Sequence, residues 1–569
     1  MMPQHIVIIG AVALGPKAAS RFKRLEPGSK VTMVDQKSII SYGGCGIPYF
    51  VSGDVSDPEQ LQSTSFNMLR DVKFFKNVKD VDVLTDTEAI AIDRALKTVR
   101  IRNVITGQEE TLAYDKLVIA TGSRPRQIPI PGSDLAGVFA VSDLSEAISI
   151  KKRLSAGEVE KAVVIGGGPI GLEMAESLAD LWGIETSVIE ITDQIMPGIV
   201  SPNLSKMAQH HMEEKDVSFY LREKVIQIHG HERVEKVITD KRSLEADMVI
   251  MAAGVEPHSK LAKNAGLEVS AKGGIIVNKR LQTSDPDIFA GGDCVEIPNL
   301  ITGKPGYYPL GGLANRQGRV IGTNLAGGHA EFEGVVGSFV VKLFDISVAS
   351  AGLTLETAKK NGFEAVSAFV VQFDRAHFFP EKDLIYLELI VEKHTGRVLG
   401  IQGLGNQGEG MFARVSAVAS ILKYRPTTSE ISNLELPYSP PFSSAMDIIN
   451  ALGNVAENIL EGRTRVIEAE EFATLWNNRE DNESFFLDCR ARQNAEPLLE
   501  KYPDHWKNIP QDELRKRLDE VPGNKRIVLI CNTGARSYEA QVTLDQSGIK
   551  DSYSLQGGAA GLKKFGLPI

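Results

Sequence analysis

Short apolar runs that stop at glycine recur along the chain, and each leads into a stretch with helical spacing. His5-Ile6-Val7-Ile8-Ile9 ends at Gly10; a turn through Gly15 opens a helix predicted over 16–25, and 30–34 reads as a second strand closed by Asp35. A stronger copy follows. A strand at 162–165 meets Gly166-Gly167-Gly168-Pro169-Ile170-Gly171, a helix runs through Leu181, and a strand at 186–189 ends on Glu190. Strand, glycine turn, helix and strand together make a dinucleotide-binding unit: the helix start offers free amides to a pyrophosphate, and an acidic residue about 20 positions on accepts from ribose hydroxyls. Gly10, Gly15 and Asp35 form the first candidate site, in which Val12 stands where the middle glycine is expected; Gly166, Gly168, Gly171 and Glu190 form the second. An acidic Glu190 favours NADH by repelling a 2′-phosphate.

Two further strand-to-glycine turns occur, Leu117-Val-Ile-Ala-Thr121-Gly122 and Ile288-Phe-Ala-Gly-Gly292-Asp293. From 335 to 404 the pattern is β-rich, 408–422 is helical, and 453–464 reads as a helical connector. A fresh α/β pattern then fills the last hundred or so residues, with strands at 484–490 and 526–530, enough for one small domain.

A chain of 569 residues suggests roughly four domains. A net charge of −10 with dispersed Lys and Arg carries no broad footprint for nucleic acid, and no uncharged apolar run approaches the roughly 20 residues of a membrane span. The apolar N-terminus reads as a buried strand and not a signal peptide. Four dispersed cysteines, Cys45, Cys294, Cys489 and Cys531, make no disulfide framework, which fits a reducing cytoplasm. Cys294 and Cys489 read as packing. The histidines give no metal site: His229 and His231 lack a third ligand, and they and His210-His211 read as structural or exposed.

Cys45 lies in Ser41-Tyr-Gly-Gly-Cys-Gly-Ile-Pro-Tyr-Phe50, among glycines that let a flat group approach, and no second cysteine follows at CxxC or CxxxxC spacing. A lone redox thiol must cycle through a mixed disulfide, a persulfide or a sulfenate. These ordered motifs resemble the flavin-dependent pyridine nucleotide-disulfide oxidoreductases over about the first 450 residues. The resemblance implies that Thr121, Gly122, Gly292 and Asp293 join the first site in holding FAD, that the second site holds NADH, and that a dimerisation domain completes the partner's active site. The single cysteine after a Ser-x-x-x spacer looks most like coenzyme A disulfide reductases and their relatives. By that resemblance Lys17, Arg21, Arg24, Ser41 and Lys79 hold coenzyme A, and Tyr438 of the Tyr438-Ser-Pro-Pro element protonates a departing thiolate across a homodimer. Three elements depart from that pattern: Phe378-Phe379-Pro380 stands where paired tyrosines precede a proline, Met446 replaces a lysine, and Gly44 an asparagine. Losing groups that serve a bulky leaving group favours a smaller one, such as hydrosulfide.

The terminal domain resembles a rhodanese, with Cys531-Asn-Thr-Gly-Ala-Arg536-Ser537 opening a helix and an Asp488-Cys-Arg490 strand. Loop amides, Arg536 and the helix N-terminus would stabilise a thiolate or persulfide at Cys531. The expected fold is therefore α/β: two Rossmann-like domains for FAD (1–150 and 276–325) and NAD(P)H (151–275), an α+β dimerisation domain (326–452), a linker (453–465) and a C-terminal rhodanese α/β domain (466–569). The fusion is similar to NADH-dependent persulfide reductases, implying that NADH reduces FAD, FAD reduces Cys45, Cys531 handles sulfane sulfur, and persulfides or polysulfides such as CoA persulfide yield hydrogen sulfide. The alternatives are a CoA disulfide reductase, an NADH oxidase or peroxidase, and a non-catalytic sulfur carrier or sensor.

Overall fold

The computed structural model describes residues 2–406 and 408–567. The chain divides into two compact units, one made of residues 1–191 and 216–335, the other of 192–215 and 336–569.

The first unit holds two five-stranded parallel sheets. One runs Ile288–Ala290, Lys116–Ile119, His5–Ile9, Lys30–Val34 and Asp82–Leu84; the other runs Val217–Leu221, Glu185–Glu190, Lys161–Ile165, Met248–Met251 and Val138–Phe139. Their central strands are apolar on both faces, as parallel strands covered on both sides must be: Ile6, Val7, Ile8, Leu117 and Val118 are fully buried. Ile288–Ala290 pairs with Leu117–Ile119, so a strand far along the chain returns to the N-terminal sheet. Both glycine turns are fixed by close packing. A Cβ on Gly15 would sit 1.9 Å from the Gly10 carbonyl oxygen, and one on Gly171 2.0 Å from that of Gly166, so only glycine lets each helix enter so near its strand.

In the second unit an antiparallel sheet runs Phe339–Leu343, Ile346–Gly352, Val398–Asn406, Leu384–Glu392 and Ala365–Phe373, with the helix Glu409–Ile421 against it. The segment expected to be a connector belongs to the helix Ile448–Leu460, which packs on this sheet through Ile448, Ile449, Leu452 and Ala456. It starts earlier than its sequence suggests because the Asp447 side chain caps it, accepting from Ile449 N–H at 3.0 Å. The chain beyond is tied down too: Gln541 Oε1 accepts from Thr464 Oγ1 at 2.9 Å and from Arg465 N–H at 3.0 Å. A parallel sheet then follows in the order Val466–Ile467, Ser552–Leu555, Arg526–Ile530, Ser484–Asp488, Trp506–Asn508. His211 is buried, 2.8 Å from Asp345 and 3.1 Å from Lys564 Nζ, a structural role.

Glu388, on the strand Leu384–Glu392, is fully enclosed, with the Ser201 hydroxyl on its carboxyl and Gln402 Oε1 accepting the Ser201 N–H at 2.6 Å. Burial pushes its carboxyl up to about 8, against the opposing pull of the Ser201 hydrogen bond and aided by the charge of Glu468. The unfolded chain loses this proton near the ordinary glutamate value, the folded unit only near 8. Its contribution is therefore intact in acid and is lost as pH rises through that window. Glu388→Gln is expected to raise the melting temperature of this unit at pH 8 by an amount worth on the order of a few kcal/mol, with the gain vanishing toward pH 4.5. Calorimetry at the two pH values checks this, and equal gains at both would refute it.

Candidate active site

Cys45 lies in a single helical turn, Gly44–Gly46, that runs into the helix Ile47–Ser52. As a residue it is exposed, yet its thiol lies against the start of the fifteen-residue helix Gly311–Leu325: a Cβ on Gly311 would stand 3.6 Å from Sγ. Desolvation pushes the Cys45 thiol up, with the charges of Glu173 and Asp293 adding to it; the N–H groups of Gly311 and of Cys45 itself pull it back toward the thiolate. A helix N-terminus facing a thiol favours its anion, so backbone dipoles offset part of what desolvation costs a thiolate at Cys45. Glu173, on the helix Pro169–Ala179, is pushed up to about 7 by burial, and Tyr49 Oη lies 3.4 Å from it. The two helices are fastened here, since Ser177 Oγ donates to Pro48 O at 2.9 Å and Trp182 Nε1 to Val51 O at 2.8 Å. Gly311, Tyr49 and Glu173 escaped the sequence reading. The only local signal was Leu310-Gly311-Gly312 before an apolar-spaced helix and an acid two residues beyond Gly171.

The groups expected to hold FAD fit such a ligand. Asp35 Oδ2 accepts from Ala11 N–H at 2.8 Å and Oδ1 from Lys37 N–H at 3.0 Å, leaving each oxygen further acceptor capacity for hydroxyls. A Cβ on Gly122 would meet nothing within 4 Å, so the turn is open. Asp293 follows the strand Ile288–Ala290, with Ser123 Oγ 3.3 Å away and its carboxyl pushed up to about 6 by burial. The Thr121 hydroxyl donates to His258 O at 2.6 Å, so it fastens the backbone and can meet a ligand through its main chain or as an acceptor. In the second turn Gly168 caps the helix Pro169–Ala179 with open space where a Cβ would go, and Glu190 accepts from Gly167 N–H at 2.7 Å.

Lys17, Arg21 and Arg24 share one face of the helix Leu14–Leu25, as their spacing of four and three requires. Arg21 Nε already donates to Thr323 Oγ1 at 3.1 Å, and Lys79 Nζ lies 5.2 Å from the centre of the Phe74 ring. Ser41 is not on the open side. It is buried in the left-handed region (φ 50°), and its N–H donates to Ala11 O at 2.8 Å, so its role is to shape the turn before Cys45.

In the second unit Cys531 follows the strand Arg526–Ile530 and is buried. Its sulfur accepts from Gly534 N–H at 3.0 Å and lies 3.5 Å from Ser537 Oγ, at the start of the helix Ala535–Gln546. Ala559 N–H donates to Cys531 O and Ala560 N–H to Asn532 O, which holds the loop from the far side. Arg536, expected beside the sulfur, is exposed; Gly534 and Ser537 supply the contacts instead. Arg490 and Asp488 form a buried pair at 2.6 Å, with Trp506 Nε1 on the same carboxylate. Cys294 and Cys489 are buried, and burial pushes both thiols up, as packing residues require. Tyr438 is exposed.

Residues 4–306 match the pyridine nucleotide-disulphide oxidoreductase model, 338–448 the dimerisation domain of that family, and 471–564 the rhodanese-like domain. The chain is 34% identical over 454 residues to an NAD(P)H coenzyme A polysulfide/persulfide reductase of Pyrococcus horikoshii, covering 80% of this chain and 98% of that one. Among solved structures, an NAD-dependent persulfide reductase from A. fulgidus matches with a TM-score of 0.92 at 38% identity, covering 98% of this chain and 99% of that one. The reduced CoADR-RHD of Bacillus anthracis matches at 0.89 and 31% identity, over 99% and 98%. The parallel sheets with their glycine turns, the thiol at a helix start and these matches agree: the chain belongs to the pyridine nucleotide-disulphide oxidoreductase family, as an FAD- and NAD(P)H-dependent member with a dimerisation domain and a C-terminal rhodanese-like domain.

Proposed function

We propose that the protein is an NADH-dependent reductase of persulfides and polysulfides, with coenzyme A persulfide as the preferred form, and that it releases hydrogen sulfide. The observation that carries this reading is the solitude of Cys45. All four cysteines are free thiols, and the other three are buried, so an S–S bond at Cys45 is one made with substrate sulfur. The Cys45 thiolate attacks the inner sulfur of CoA–S–SH; the Cys45–S bond forms as the S–S bond breaks, and hydrosulfide leaves. When bound, FAD and NADH would supply the two electrons needed to cleave the resulting mixed disulfide to the Cys45 thiolate and free coenzyme A; the cycle would consume one persulfide, one NADH and one proton. The Gly311 and Cys45 amides steady the thiolate before attack and after its return. Lys17, Arg21, Arg24 and Lys79 offer cations to coenzyme A phosphates, and Tyr438 gives a proton to the departing sulfur.

The chain acts as a homodimer. That assignment is supported by the dimerisation-domain match and by exposed Phe378, Tyr438, Phe442 and Met446. Among the described residues no helix is long and apolar enough to cross a membrane. Unpaired thiols favour the cytoplasm. Cys531 takes sulfane sulfur from a donor and passes it to coenzyme A as a mobile carrier.

Anaerobic NADH oxidation with CoA persulfide and CoA disulfide side by side tests the reading. Persulfide is expected to turn over about tenfold faster or more, with one hydrogen sulfide per NADH. A faster reaction with the disulfide overturns it in favour of a CoA disulfide reductase, the reading that similarity to CoADR-RHD supports.

A further inference from the structure

The segment that carries Tyr438 is exposed but not loose. Tyr438 is 51% exposed, Phe442 75%, and Phe378, on a neighbouring loop, 65%. Beneath them lies one buried guanidinium. Arg414, on the helix Glu409–Ile421, donates from Nη2 to Asp447 Oδ2 at 2.7 Å and from Nε to the same oxygen at 3.0 Å. Its remaining donors go to main-chain carbonyls: Nη1 to Gly410 O at 2.8 Å, Nη2 to Asp374 O at 2.8 Å and, at 3.4 Å, to Phe442 O. Asp447 in turn caps the helix Ile448–Leu460. The two loops are also laced to each other, Ala376 N–H to Pro440 O at 3.2 Å and Ser444 Oγ to Arg375 O at 3.2 Å.

A buried ion pair is a poor way to gain stability, because desolvating both charges offsets much of their attraction; what it fixes well is one geometry. Arg414 spends its fork on Asp447, and Nη2 also reaches the carbonyls of Asp374 and Phe442 in two loops whose aromatic side chains touch solvent, an arrangement suited to presenting those side chains in a fixed direction. We propose that Arg414 is a positioning residue that joins the Tyr438 and Phe378 loops into one rigid edge, so that the Tyr438 hydroxyl is aimed before substrate arrives. This rests on the role given to Tyr438 above.

A double-mutant cycle on the FAD-loaded, full-length enzyme tests it. Arg414→Lys keeps the charge and loses the fork. Alone it is expected to lower kcat for CoA persulfide roughly tenfold with KM nearly constant, while NADH-driven reduction of an artificial dye stays unchanged. Combined with Tyr438→Phe it is expected to cost less than about twofold more, because nothing remains to aim. Equal losses in both backgrounds, or an unchanged kcat, overturn the proposal. If Arg414→Lys fails to retain flavin, Asp447→Asn runs the same cycle. A silent Tyr438→Phe removes the role of Tyr438 and the proposal with it. If the cycle appears with CoA disulfide and not with persulfide, only the substrate reading falls.

Discussion

Cys45→Ser is expected to lower NADH-driven persulfide reduction by about 10³-fold or more, while flavin content and dye reduction by NADH remain. Serine keeps the size of the side chain and its contact with the Gly311 turn, but its hydroxyl has no accessible anion and forms no S–S bond. No other thiol can take over, since Cys294 is buried against Gly291 O and Ile119 O, and Cys489 and Cys531 are buried in the second unit. The same thiol sets a pH profile that iodoacetamide alkylation reads without any substrate. Burial and the fields of Glu173 and Asp293 push Cys45 up, so the thiolate fraction and the alkylation rate rise with pH through the neutral range. Glu173, with its carboxyl near 7, gains its own charge within this range and so broadens the rise. Residual persulfide turnover in Cys45→Ser within tenfold of wild type, or alkylation that is flat with pH, contradicts this account.

Elements bounded by strong local contrasts were legible in the sequence. The strand Lys30–Val34 opens on a lysine, is closed by Asp35 and is found where its pattern places it, as is Arg526–Ile530 before Cys531. The helix Ile448–Leu460 was cut short because Gly453 reads as a boundary. In the fold that glycine is a close approach: a Cβ would stand 2.5 Å from Ser432 N, and nothing local to Gly453 records Ser432. The candidate site divides in the same way. Cys45 announces itself by its glycines and by the missing second cysteine, both local facts. Its helix partner Gly311 and the Tyr49 to Glu173 contact join segments far apart in sequence, which one sequence cannot pair. Ser41, Thr121 and Arg536 were assigned by motif. The motif gives a residue's place in the chain, while contacts distant in sequence decide its surroundings: Ser41 is buried with its main-chain N–H on Ala11 O, the Thr121 hydroxyl is on His258 O, and Arg536 is exposed.

Cys531→Ser is expected to abolish transfer of sulfur from thiosulfate to cyanide, a loss of about 10³-fold or more, while reduction of preformed CoA persulfide by NADH changes less than about twofold. The argument is local to the second unit. In that transfer the Cys531 thiolate attacks the outer sulfur of thiosulfate, sulfite leaves, and cyanide removes the sulfur from the Cys531 persulfide as thiocyanate. The Gly534 N–H, directed at the sulfur by its left-handed conformation (φ 112°), and the start of the helix Ala535–Gln546 face the charge at each stage. The two carbonyl anchors from Ala559 and Ala560 hold the loop in place around it. Arg536→Ala should cost far less, because it is exposed and the sulfur's contacts come from elsewhere. A large loss in Arg536→Ala would show that the arginine closes over the sulfur only when a donor is bound. The decisive comparison adds thiosulfate, coenzyme A and NADH together. If Cys531 loads coenzyme A with sulfur for Cys45, NADH oxidation in this mixture needs both cysteines, whereas with preformed persulfide it needs Cys45 alone. A mixture that runs equally well without Cys531 would separate the two thiols into independent activities on one chain.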